Sequence, residues 1–328
     1  MRRRNEDPLS ILEREWEWLL WGIDHYSTRP LTRTSLDALT VKEMRAFHRR
    51  YWHPGNLVFA VSGDVGRERA HAALAKRLEV WRAAETAAAP PWPPPESSFV
   101  PEPGVFVIDK DVSQAKVRLG LLNVSEEPWT ERETAVLSVM NEILGGGGAI
   151  SRIAGRLRTA EGLVYRASAS FETAAPWAGE FRVFFDATGP NVARAVRLCL
   201  AEIDRLRTEL AHPQELSTVQ ETLLAELRQS FDSAEEVAGY LAEDHLLGRE
   251  PGYWGRRYQS IQSVTLEDVR AAADKYLDPA RLVLLAVGRR NEILDPAVNG
   301  VSDLERSTGH PIVELPLRDP LTLEVPPP

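Results

Sequence analysis

The sequence predicts an α+β fold present as one and a half tandem copies of one domain. Three observations carry this expectation. Residues 40–63 (TVKEMRAFHRRYWHPGNLVFAVSG) and 265–288 (TLEDVRAAADKYLDPARLVLLAVG) align without a gap at an offset of 225. A stiff proline stretch, Pro90 to Pro95 with Pro101 and Pro103, lies between the copies. Residues 104–288 then carry a full alternation of strands and helices, while the first copy has only the end of such a set ahead of it.

The elements follow in order. Asp7 as N-cap and Pro8 at the first helical position open a helix from Leu9 to about Trp21, closed by Gly22. Its Trp16, Leu19 and Leu20 need a surface, so this half-domain is expected to expose apolar area around them and to aggregate or recruit a partner. The chain is expected to begin inside a packed structure. Met1 to Arg4 is followed by Asn5-Glu6-Asp7-Pro8 and so does not read as a signal peptide. Each repeat copy opens on a capping box, Thr40 with Glu43 or Thr265 with Asp268. One helix, a proline turn, an apolar strand and a glycine follow. Thr40/Thr265, Arg45/Arg270, Tyr51/Tyr276, Pro54/Pro279, Leu57/Leu282 and Gly63/Gly288 coincide.

In the complete unit, Val105 to Asp109 and Gln114 to Leu122 read as strands. Thr130 to Glu133 caps a helix to Leu144, which Gly145–Gly148 stops. Ser151 caps a shorter one to Glu161, ended by Gly162. Leu163 to Phe171 and Glu180 to Ala187 alternate as strands. Pro190 opens a long helix with the stripe Val192, Ala195, Val196, Cys199, Ile203, Leu206 and Leu210, and further helix runs from Pro213 to about Leu247. The division is 1–88 (back half of a first domain), 89–103 (linker), 104–290 (complete domain) and 291–328 (a tail that wraps or frays). Relative to the second copy, about 120 residues are missing from the first.

Composition narrows the functions. With 39 basic and 48 acidic residues the formal charge is −9, which argues against a nucleic-acid partner. No run is long enough for a transmembrane segment. The lone Cys199 excludes a disulfide framework and multi-cysteine metal sites, and its place on a helical stripe makes it a core thiol. None of the seven histidines forms the i, i+4 pair of a helical zinc site, and His212-Pro-Gln-Glu215 reads as a helix cap. No metal site is expected in this chain.

Two features can carry chemistry. Gly145–Gly148 lacks the strand and the Gly-Lys-Ser/Thr of a phosphate loop, yet leaves backbone groups open to an approaching chain. Arg158 and Tyr165 bracket the turn at Gly162 and can converge. Together they would suit a carbonyl oxygen or a developing oxyanion. Tyr165 also shares a strand face with Leu163, Ala167, Ala169 and Phe171, and on the residues alone the core reading is favoured.

Asn141-Glu-Ile-Leu-Gly-Gly-Gly-Gly-Ala-Ile-Ser-Arg152, with Leu157-Arg158 and Gly162-Leu-Val-Tyr165, resembles the second domain of the insulinase/pitrilysin family of zinc metallopeptidases, which includes the mitochondrial processing peptidase subunits. The resemblance covers residues 5–290. It implies tandem metallopeptidase-type α/β sandwich domains, the first incomplete. It implies that Arg158 and Tyr165 position a peptide and help stabilise the tetrahedral intermediate. It also implies that Gly145, Gly146, Gly147 and Gly148, with Asn141 and Ser151, bind substrate. The family's H-x-x-E-H and downstream Glu ligands have no counterpart here. Zn2+ is then expected only in a full-length chain or a partner subunit, and this chain alone is expected to be inactive.

Two readings follow from the resemblance: the substrate-binding half of a peptidase, or a non-catalytic Arg/Tyr subunit that binds peptide for a zinc-bearing homologue. A structural role, as in respiratory-complex core subunits, fits less well with retention of Arg158 and Tyr165. The implied partners are an unstructured peptide and a zinc-bearing homologous subunit or a second copy. A bacterial periplasmic location is favoured over the cytoplasm.

Overall fold

A computed structural model describes residues 1–79, 99–124, 129–172, 178–294 and 302–325. The proline run at 90–95 lies outside them. In chain order, α1 spans Pro8–Trp21, α2 Arg33–Ala38, α3 Val41–Tyr51 and α4 Arg67–Leu78. Strands β1 (Gly104–Asp109) and β2 (Ala115–Val124) precede α5 (Glu131–Asn141) and the three-residue α6 (Arg152–Ala154). Then come β3 (Val164–Glu172), β4 (Ala178–Ala187), α7 (Val192–Thr208), α8 (Pro213–Gln229), α9 (Ala234–Leu246) and α10 (Tyr253–Gln262). The chain continues with α11 (Leu266–Tyr276), β5 (Val283–Gly288), α12 (Arg290–Ile293), α13 (Asp303–Thr308) and β6 (Ile312–Glu314).

Packing divides the chain into two units. One comprises Met1–Arg33, Ser97–Leu223 and Gln259–Pro328, and the other Thr34–Glu96 and Leu224–Tyr258. The first holds a six-stranded mixed sheet in the order β3-β4-β2-β5-β1-β6. Strand β5 runs parallel to β1 and antiparallel to β2, so the second repeat copy supplies the sheet's interior. Every residue of β5 is buried, as a strand covered on both faces requires. On one side α7 packs on β2 and on α11, which in turn packs on α5. On the other side lies α1. Ile11, Leu12, Trp16 and Leu20 sit against Phe106, Ile108, Leu122, Val283, Leu285 and Val287. The Trp16 indole N–H donates to Glu180 at 2.6 Å, and the Arg118 guanidinium lies 5.6 Å from the ring centroid.

This corrects the expectation for α1. Its apolar stripe is covered by the sheet of the complete unit, with Trp16 and Leu20 fully buried. The caps are as the spacing implied: Asp7 accepts from Leu9 N and Ser10 N, and Gly22 closes the helix at φ +77°. The tail also differs from expectation. Residues 312–314 pair parallel with β1 and add the sixth strand. Leu210, placed on the α7 stripe, lies beyond the helix end and is exposed.

The second unit contains α2, α3, α4, α9 and the adjoining parts of α8 and α10. An aromatic cluster ties its later part together: Phe231, Tyr240 and Trp254 have ring centroids 4.9–5.4 Å apart. The Arg249 guanidinium sits over Tyr253 and Trp254. The capping box at Thr40 and Glu43 forms as expected and α3 follows it. The apolar segment after it, Leu57–Ser62, is not a strand. Leu57 is extended, at φ −123° and ψ 139°, but among the described residues no neighbouring strand takes the segment's backbone hydrogen bonds, so the expected strand does not form.

Candidate functional site

The glycine-rich segment continues α5 through one wide turn, Glu142–Gly146, before the chain breaks at Gly148 with φ +63°. Each glycine meets something different. A Cβ on Gly145 would fall 2.8 Å from the Ala169 backbone nitrogen of β3. On Gly146 it would lie 2.5 Å from Asn141 Nδ2, and on Gly147 2.8 Å from the Glu142 carbonyl oxygen. Only at Gly148 does it meet open space. Three of the four glycines therefore allow the turn to close onto β3 and onto itself, and the accessible backbone is at Gly148. Asn141 lines the same turn half-buried, and its side-chain Oδ1 has no hydrogen-bond partner among the described residues.

Ser151 does not face outward. It is 2% exposed, and its hydroxyl donates to the Gly148 carbonyl at 2.7 Å. It makes no side-chain cap to α6. Its role is to hold the glycine turn closed, and direct contact with a ligand would need that bond broken. Next to it, Arg152 anchors the segment to α8 through a bidentate pair with Glu215, both bonds 2.8 Å. Glu215 also accepts from the His212 backbone N–H at 2.7 Å, which is the cap expected at that helix start. The Arg152 guanidinium holds the Glu215 carboxyl below the ordinary carboxylate range.

Arg158 and Tyr165 come together. A second wide turn, Gly155–Ala160, carries Arg158 outward while Leu157 beside it is fully buried. Gly162, at φ +60°, reverses the chain into β3. The Arg158 guanidinium carbon lies 5.8 Å from the Tyr165 ring centroid, a cation–π distance. Tyr165 is 79% exposed. The alternation that would have put it in the core is broken by a β-bulge between Val164 and Ala167, which turns both Tyr165 and Arg166 out of the buried face. The nearby carboxylate, Glu161, is engaged by Arg156 at 3.1 Å and by Arg194. Arg158 has no ion pair among the described residues. A cation and a phenol thus stand exposed at one spot, with their hydrogen-bonding capacity open to a ligand.

The described residues do not fit a zinc ion. No three His, Cys, Asp or Glu side chains among them converge as a cation site requires. His25 is taken by Ser27 at 2.6 Å, and His212 Nδ1 accepts from Gln214 N. Cys199 is fully buried, and burial pushes its thiol far up from the ordinary value, so it is no nucleophile. Among the described residues no helix is long and apolar enough to cross a membrane.

Comparison with known proteins bears on the family and the fold. The sequence profile of the peptidase M16 inactive domain matches residues 38–223, more than half of the chain and all of the glycine turn, Arg158 and Tyr165. An uncharacterized zinc protease of Streptomyces coelicolor is 26% identical over 278 residues. That match takes in 82% of this chain and 58% of the relative, so the chain spans less than two thirds of the relative's length. Among solved structures, a peptidase M16 inactive domain from Pseudomonas fluorescens superposes with a TM-score of 0.70 at 21% identity, covering 90% of this chain and 67% of the other. The periplasmic protease PqqL from Escherichia coli gives 0.69 at 15% identity, covering 88% and 31%. At these identities the structural likeness establishes the fold.

Proposed function

The chain belongs to the peptidase M16 family, and from that premise we propose that it is the substrate-handling part of a zinc-dependent peptidase. Its complete domain receives an extended peptide. Tyr165 donates a hydrogen bond to the oxygen of the scissile carbonyl, and Arg158 beside it stabilises the negative charge that develops there. The open backbone at Gly148 gives the peptide main chain donors and acceptors, with Asn141 lining the same turn. Hydrolysis itself belongs to zinc ligands that lie outside the described residues, and no step through the metal is assigned to this chain. The observation that carries the reading is the exposed Arg158–Tyr165 pair, with no competing ion pair among the described residues and inside the matched family region. A periplasmic location is part of the proposal, by analogy with the Escherichia coli neighbour.

The test is an assay of purified 1–328 on an unstructured peptide with added Zn2+ and with a chelator. The reading expects no hydrolysis in either condition. Chelator-sensitive cleavage by this chain would overturn it.

A further inference from the structure

The charges around the Arg158–Tyr165 pair are unevenly shared. On one flank, Glu161 is claimed by two guanidiniums, Arg156 at 3.1 Å and Arg194. On the other, Asp186 of β4 accepts a hydrogen bond from Lys116 at 2.9 Å, while the Arg166 guanidinium stands 3.7 Å away. Lys116 also lies in the field of Asp7, the cap of α1. The lysine charge is thus divided between two carboxylates, and Arg166 is only loosely neutralised. Burial sorts the signs further. The Glu161 and Asp186 side chains are 18% and 11% exposed, whereas those of Arg194 and Arg166 are more than half exposed. An approaching chain meets guanidiniums, with the balancing carboxylates beneath them.

Arg166 is the best placed of these cations. The bulge between Val164 and Ala167 that exposes Tyr165 exposes Arg166 next to it. Its guanidinium lies 4.9 Å from the Phe184 ring centroid. Stacking on an aromatic face holds the planar fork without neutralising it, and leaves N–H donors for a carboxylate. The chain as a whole carries −9, which repels an anion at long range. At physiological salt that field is screened beyond about 8 Å, so the guanidiniums at the site decide.

We propose that the peptide handled at Arg158 and Tyr165 is acidic, with Asp or Glu within about two residues of the scissile carbonyl, and that Arg166 selects it through charge-assisted hydrogen bonds to that carboxylate. Arg156 and Arg194 add charge of the same sign on the other flank. A basic peptide is rejected there by like-charge repulsion. The proposal rests on the peptide-binding reading above and names the substrate class for it.

The test uses recombinant 1–328 and labelled unstructured peptides of one length that carry Glu, Gln or Lys at the same positions. Fluorescence anisotropy is read at about 50 mM and about 300 mM salt. The Glu peptide is expected to bind at least ~10-fold tighter than the Gln peptide at the lower salt, with the Lys peptide weakest, and its advantage to shrink below ~3-fold at the higher salt. Arg166→Gln should lower the Glu-to-Gln ratio at least ~3-fold and leave the affinity for the Gln peptide within ~2-fold of the parent chain. Arg166→Lys, which keeps the charge, should restore part of the ratio. Equal binding of the Glu and Gln peptides, still weakened by Tyr165→Phe, overturns the acidic preference and leaves the peptide-binding reading in place. A Glu preference that Arg166→Gln does not change overturns the assignment to Arg166. Binding of none of the peptides overturns both readings.

Discussion

Tyr165 shows how one residue's role depends on a local irregularity. Strand alternation from Leu163 places it inside, and a single bulge places it in solvent beside Arg158. Because it is exposed, Tyr165→Phe should change stability by less than about 0.5 kcal/mol, measured as an unchanged urea midpoint. A loss of several kcal/mol would return it to the buried hydrogen-bonded residues. The glycines separate in the same way. Gly145→Ala forces a Cβ onto Ala169 and should destabilise by about 2 kcal/mol or more. Gly148→Ala meets no atom and should cost about 1 kcal/mol for its positive φ alone. Thermal melts of the two variants would show the difference. The glycine run and the Arg–Tyr spacing were legible in the sequence. The bulge was not, since no residue type marks it, and neither was the inward turn of Ser151, whose hydroxyl is spent on the Gly148 carbonyl.

At the level of elements, α1 is the main difference from expectation. Its stripe of Ile11, Leu12, Trp16 and Leu20 was readable, but a stripe does not name its partner, and the sheet it covers begins nearly a hundred residues later. Trp16→Ala should cost about 3–5 kcal/mol by leaving a cavity against β2 and β5 and by removing the indole donor to Glu180 Oε1, while Arg182 still holds Oε2. A much smaller loss in chemical denaturation would mean that α1 is not docked there. The Arg152–Glu215 pair gives a pH-dependent prediction. Glu215 titrates lower folded than unfolded, so its contribution is complete above the unfolded value near 4.5 and is lost as pH falls through the folded one. Glu215→Gln should cost about 2 kcal/mol at pH 7, and the gap from wild type should close as pH falls below the unfolded value of 4.5. The repeat units show the limit of local sequence most clearly. Thr40 and Thr265 cap equivalent helices, yet only Val283–Gly288 becomes a strand, because only there are β1 and β2 at hand.

For the whole molecule, the α+β class was legible because strand and helix patterns alternate along 104–288 and the caps agree with them. The tail was not: a three-residue strand such as Ile312–Glu314 is too short for periodicity, and its pairing with β1 is set by tertiary context. In the function proposed above, Arg158 and Tyr165 meet a peptide carbonyl and the chain handles substrate without holding the metal. The most direct test is fluorescence anisotropy of a labelled unstructured peptide titrated with 1–328, with Arg158→Ala and with Tyr165→Phe. The account predicts binding by the parent chain and at least ~5-fold weaker binding by each variant, with unchanged melting temperatures. Equal affinity of all three proteins, or no binding by the folded parent chain, would contradict it.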